Sequence, residues 1–252
     1  MSIPKSIISK YNIVFNGKKR LYLYPLPERG LNLENTVPNT FVIGHVEITS
    51  TSWVELLALL VKFLVSVHPK NDEELLNFKT DWSKTNIFRK EKRINHEFIR
   101  EGIYLNENHT AQHSIWLMID LLDFFGEDYN NCKLIIRRHP RAEPDEVRNW
   151  VIKETKQEFE TYLKNVKQLD QPKTEFVLKN IDILNKFMAK QSSAYDNLYL
   201  IDDATTFGAL KPKIIEGFAS SSKDYEKYKA AATKFLGYLT SFFRDNGYYN
   251  KK

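Results

Sequence analysis

The chain has 252 residues, 42 % of them hydrophobic and 27 % charged, with a formal net charge of +5. That length can bury a sizeable core and that balance excludes a wholly disordered chain, while so small a net charge does not by itself name a polyanionic partner. A single cysteine, Cys132, excludes an intramolecular disulfide and a thiolate metal cluster, and points to a reducing, cytoplasmic setting.

Met1 to Lys10 is short and polar and is broken by Pro4, unlike a secretory leader. Tyr11–Phe15 and Leu21–Tyr24 are rich in strand formers and flank Asn16-Gly17, a pair that tolerates positive φ and so predicts a hairpin. Pro25, Pro27, Gly30 and Pro38 punctuate an irregular stretch, and Phe41–Ile48 reads as another strand. Ser52-Trp53-Val54-Glu55 has the spelling of a capping box and opens a helix to about Val67 that is apolar over most of its circumference. This is the most apolar run in the chain. It carries Glu55 and Lys62 and falls short of the roughly 20 apolar residues a membrane span needs, so no membrane partner is expected.

Asn71–Phe78 reads as a short helix, Thr85–Ile99 as a basic segment of ambiguous structure, and Ile103–Leu105 as a short strand. A second apolar helix spans Thr110 to Phe125, with Thr110 as its N-cap and Gly126 suited to a left-handed C-terminal cap. Its polar positions His113, Asp120 and Glu127 recur every seven residues, which predicts one exposed stripe. Lys133–Arg138 is a strand.

His139-Pro140-Arg141-Ala142-Glu143-Pro144 marks a change of pattern. Beyond it, a helix follows Pro144 and another follows Pro172, Leu198–Ile201 reads as a short strand, and Ser220 to Ser222 precede a final helix. The apolar stripe of that last helix is Tyr225, Tyr228, Ala232, Phe235, Leu236, Leu239 and Phe243. The expected fold class is therefore α+β. Residues 1–139 form an α+β half with a small sheet around two apolar helices, and residues 140–252 form a mostly helical half that either stands apart or packs on the first.

No phosphate loop, dinucleotide fingerprint or nucleophile elbow occurs, and no catalytic residue or cofactor is expected. His109 and His113 have the spacing for one helix turn of metal ligation, but Thr110 stands where a zinc protease carries Glu, and no third ligand lies close by. Asp145 with Glu154-Thr155-Lys156 imitates a metal-dependent nuclease motif on what reads as a single helix rather than on adjacent strands. Asp202-Asp203 suits a cap or turn. No metal site is expected from any of these.

The informative signal is charge segregation. Arg89, Lys90, Lys92 and Arg93 cluster around Glu91, and Arg137, Arg138 and Arg141 follow Lys133 before the first acid at Glu143. Between them, Glu101–Asn131 holds six acids and no Lys or Arg. Phosphate contacts favour such cations on exposed elements, and Trp82, Phe88 and Tyr104 lie near enough in sequence to stack on unpaired bases if exposed. The competing expectation is a solvated face that pairs with the acidic helix.

One ordered pattern has a known parallel. Thr51-Ser52-Trp53 with Glu55-Leu56-Leu57, Gly102-Ile103-Tyr104-Leu105-Asn106, Asn108, Thr110-Ala111, Leu121-Leu122, Phe125-Gly126 and Leu134-Ile135-Ile136 follow one another. Over residues 41–138 this resembles an uncharacterised accessory domain that recurs in bacterial restriction–modification and other anti-phage defence proteins. The resemblance implies DNA-related accessory work and names no catalytic residue. The expected function is a cytoplasmic, non-enzymatic nucleic-acid-binding or accessory protein acting through Arg89, Lys90, Lys92, Arg93, Arg137, Arg138 and Arg141. The alternatives are a subunit that docks on a protein partner through its C-terminal helix and Tyr248-Tyr249, and a metal-dependent nuclease.

Overall fold

The computed structural model describes residues 4–16, 19–26, 31, 33–83, 86–93, 96–106, 109–190, 195–219 and 225–244. In chain order the elements are α1 (Lys5–Tyr11), β1 (Ile13–Asn16), β2 (Lys19–Pro25), β3 (Thr36–Ile43), β4 (Val46–Thr49), α2 (Trp53–Val67) and α3 (Asp72–Asn77). There follow β5 (Phe88–Arg89), β6 (His96–Arg100), β7 (Ile103–Asn106), α4 (Ala111–Phe125), β8 (Cys132–Arg138), α5 (Asp145–Asn165), α6 (Gln171–Met188), α7 (Ala204–Ala219) and α8 (Tyr225–Arg244). The fold is α+β. Among the described residues no helix is long and apolar enough to cross a membrane.

The chain divides into two compact units. One comprises Tyr11–Val14 with Arg20–Arg138, and the other Met1–Lys10, Phe15–Lys19 and His139–Lys252.

In the first unit a five-stranded sheet has the order β1-β2-β8-β3-β4. The late strand β8 inserts between two early ones, antiparallel to both, so Leu134 pairs with Tyr24 on one side and Phe41 on the other. Pro38 lies within β3, where the register with β8 shifts between Pro38 and Thr40. A bulge of this kind is where a residue without an N–H donor fits a sheet. The single strand expected over Phe41–Ile48 is two, because Gly44 takes φ +57° and turns β3 into β4. The turn expected at Gly17 lies outside the described residues.

Helix α2 packs on α4, β3 and β4, and buries Leu56, Leu57, Leu60, Val61 and Leu64. Its start differs from the expected capping box. Ser52 accepts from the Glu55 N–H, but the Glu55 carboxylate accepts a 2.6 Å hydrogen bond from the Ser50 hydroxyl, and Ser50 Oγ in turn accepts from the Ser52 N–H. Ser50 thus relays what the box would make directly. A reciprocal box does open α3, between Asn71 and Glu74. Trp53 Nε1 donates to the Thr36 carbonyl at 3.2 Å and ties α2 to the edge of β3.

Helix α4 starts and stops where its sequence says: Thr110 accepts from the His113 N–H, and Gly126 closes it at φ +77°. A second sheet has the order β5-β7-β6. The inner side of its first strand is Phe88, whose ring lies 6.0 Å from Phe78, which in turn lies 4.8 Å from Phe124 of α4.

The second unit is built on α5–α8. Its core gathers Phe159, Tyr162, Phe207 and Phe235, with Phe159 and Phe235 edge to face at 5.1 Å. Leu198–Leu200 is a 3-10 turn capped by Asn197, not a strand. Asp203 accepts from the Thr206 N–H at 2.6 Å and starts α7, a helix that contains Pro212. Ser220 to Ser222 lie outside the described residues.

A left-handed residue other than glycine costs roughly 1–2 kcal/mol. Gly126→Ala should therefore lower the stability of the folded protein by about 1 kcal/mol, and Gly126→Asn by less. Urea unfolding of the two variants beside the parent measures both.

Candidate nucleic-acid interface

The basic residues marked in the sequence fall into two environments. Arg137 and Arg138 end β8 and are half-buried. Arg138 donates to the Tyr24 hydroxyl at 3.0 Å, and its guanidinium sits over the rings of Tyr22 and Tyr24 at 5.5 and 5.8 Å. Arg137 has a partner of its own as well. Arg141 lies in the 3-10 turn Pro140–Ala142 of the other unit, 4.0 Å from Asp196. Asp196 is held more closely by Arg148 at 2.7 Å, and Arg148 also donates to the Pro140 carbonyl. These arginines hold the fold together, and the three expected to act as one patch belong to two units.

Arg89, Lys90, Lys92 and Arg93 are different. None of the four side chains carries an ion pair or hydrogen bond to another described residue. Lys90, Lys92 and Arg93 are exposed, and Arg89 is half-buried with its Nε covered and unpartnered. A covered guanidinium N–H without an acceptor is unusual. The expected pairing with the acids of α4 does not occur here, since Asp120 accepts from Trp82 Nε1 at 2.7 Å and Glu127 from His68 at 2.5 Å. Lys90 lines a cavity of about 540 Å³ together with Asp72 and Glu73, carboxylates that oppose a phosphate there.

The sheet that carries this segment has an inner and an outer side. Phe88 is paired with Leu105 and both are buried, as are Ile103 and Ile99. Alternation then puts Arg89, Tyr104 and Phe98 outward in one cross-strand row, Arg89 opposite Tyr104 and Tyr104 opposite Phe98. Phe98 is 50 % exposed and meets the Tyr104 ring edge to face at 5.8 Å. The strand order also matters. In it β7 lies between β5 and β6. The Glu91 carbonyl lies 3.3 Å from His96 Nδ1, and His96 shares the outer side with Phe98 two residues on. This contact brings Glu91 close to the start of β6, the strand that carries the exposed ring. Cations beside an aromatic face can hold phosphates and stack a planar group.

Of the rings expected to stack, Phe88 is buried, Tyr104 is half-buried in the row, and Trp82 is on the wrong ground. Its indole stacks on His113, centroids 5.2 Å apart and planes 14° from parallel, and lies edge-on to His109 and Trp116. Trp82 also lines a cavity of about 590 Å³ with Glu74, Asp81, Asp120 and Asp123, four carboxylates against Lys79. A polyanion is repelled there. The same packing corrects the stripe expected on α4: His113 and Asp120 are half-buried beneath Trp82 rather than solvated. Phe98 went unread because nothing local says which side of a short strand faces water.

No other chemistry assembles. Among the described residues no group of three or more His, Cys, Asp or Glu side chains is placed to hold a metal ion. Asp145, Glu154 and Lys156 lie along α5, where Lys156 pairs with Asp182 at 2.7 Å. Burial, with Glu127 and Asp128 nearby, pushes the Cys132 thiol up to about 11, which suits packing and not nucleophilic attack. The α8 stripe offered for partner docking is core: Tyr228, Ala232, Phe235 and Leu239 are buried in their own unit. Tyr248-Tyr249 lies outside the described residues. Compared with known proteins, the chain matches no family model, no curated protein and no solved structure.

Burial, reinforced by the charge of His113, lowers the His109 pKa below the ordinary histidine value, against a hydrogen bond with the Asn106 backbone that raises it. A histidine whose folded pKa is depressed binds its proton more readily when unfolded. Its contribution to stability is whole above about pH 6.5 and is lost as pH falls from there through the lowered folded value. His109→Gln should lose less stability than the parent between neutral and mildly acid pH, read from urea midpoints at both.

Proposed function

We propose that this protein binds nucleic acid without acting on it chemically, as an accessory component, through the Arg89–Arg93 segment and the outer side of the β5-β7-β6 sheet. The observation that carries the reading is the pairing state of the cations. Arg138, Arg141 and Arg148 have partners in the fold, whereas Lys92 and Arg93 stand exposed without one among the described residues. Unpaired surface arginine and lysine repel one another and contribute little to stability, so their grouping is better accounted for by a polyanionic ligand. The half-exposed Phe98 beside them adds a surface suited to a base. The likeness of residues 41–138 to an accessory domain of anti-phage defence proteins points the same way.

The test is fluorescence anisotropy of labelled oligonucleotides against the purified protein across a salt series. Lys92→Ala with Arg93→Ala should weaken binding for every sequence tried and reduce the salt slope by about one unit per side chain removed. Arg137→Ala should leave the slope near that of the parent. Equal slopes for the parent and the Lys92/Arg93 double variant would put the interface elsewhere.

A further inference from the structure

We infer that the strand bound at this surface is unpaired, with one base stacked on Phe98 while Arg89, Lys92 and Arg93 hold the flanking phosphates. The inference rests on the nucleic-acid reading above and deepens it.

Three features separate an unpaired strand from a duplex. Phe98 is 50 % exposed whereas Phe88, Ile99, Ile103 and Leu105 of the same sheet are buried, and a ring half in water is a standing cost of apolar hydration that a stacked base removes. Its edge-to-face contact with Tyr104 at 5.8 Å holds the ring from one side and leaves it fixed for stacking. A base inside a duplex has both of its faces covered by neighbouring pairs and has none to offer this ring; an unpaired base has one free. The cations complete the selection. Arg89 lies one strand over from Tyr104 in the same row, with a covered Nε that has no acceptor among the described residues. Lys92 and Arg93 are exposed in the segment that follows Arg89, where the Glu91 carbonyl lies 3.3 Å from His96 Nδ1. A single exposed ring beside these cations fits one base and its adjoining phosphates. The contact assigned to the base is the face of the Phe98 ring, so the preference is for strandedness and not for sequence.

A protein side chain is the other class of occupant for an exposed phenylalanine. The charge near it argues for the polyanion: Arg89 stands in the same cross-strand row, and Lys92 and Arg93 are exposed in the segment that follows it, with Glu91 the one acid among them.

The experiment uses the full chain with a fluorescein-labelled oligothymidylate, an oligouridylate and a duplex of the same length. Phe98→Leu keeps apolar bulk and removes the ring, and should weaken both single strands roughly ten-fold while leaving the duplex unchanged. Phe98→Trp keeps a ring, should bind single strands at least as tightly as the parent, and its added indole emission should be quenched on binding. If Phe98→Leu binds single strands as the parent does while the Lys92/Arg93 double variant still weakens them, stacking is overturned and the nucleic-acid reading survives. If the parent binds duplex as tightly as single strands, the preference for unpaired strands is overturned. If the parent binds none of the three probes near physiological salt, both readings fall together.

Discussion

An antiparallel sheet of three short strands has one side for the core and one for water, and in this protein Phe88 and Leu105 make the choice. They face each other across β5 and β7, and Phe88 continues inward to Phe78 and Phe124. With those two side chains inward, period-two alternation leaves no freedom: Arg89, Tyr104 and Phe98 must point out. A slip of one residue would bury Arg89 and expose Leu105, at a cost in desolvation that the small sheet has no means to offset. The candidate interface is thus a by-product of core packing in the first unit.

Charge follows the same economy. Two half-buried arginines have partners in the fold: Arg138 has the Tyr24 hydroxyl and two rings, and Arg148 has Asp196 and a backbone carbonyl. Carboxylates near the aromatic rings of α4 are similarly engaged, Asp120 by Trp82 and Glu127 by His68. Against that background Lys92 and Arg93, exposed and without a partner among the described residues, stand out. Composition alone cannot make this distinction, because seven basic residues in two clusters read alike until their neighbours are known.

Much of the fold was legible in the sequence where the determinants are local. Helix α4 could be bounded from Thr110 and Gly126 alone, since a cap hydroxyl and a left-handed glycine act within a single turn. Pro144 and Pro172 similarly announced α5 and α6. Elements that depend on distant pairing were not legible. The strand β5 is two residues long and exists because β7 lies beside it. Helix α7 was missed because Pro212 interrupts its pattern, and α1 because seven residues carry too little periodicity. The apolar run Leu198–Leu200 suits a strand by composition, but the Asn197 side chain and the surrounding aromatic core turn it into a 3-10 segment. At the candidate interface, the basic residues were visible and the ring was not: Tyr104 was named, Phe98 was not, and Trp82 was named for a surface whose carboxylates oppose the ligand.

The proposed interface is the outer side of the second sheet. Amide hydrogen exchange of the whole chain, with and without a saturating oligothymidylate, tests it most directly because it reports every peptide at once. The account predicts that protection on binding concentrates in peptides covering residues 88–93 and 96–104. Protection confined to peptides around Lys133–Arg141, with none in the second sheet, would contradict it.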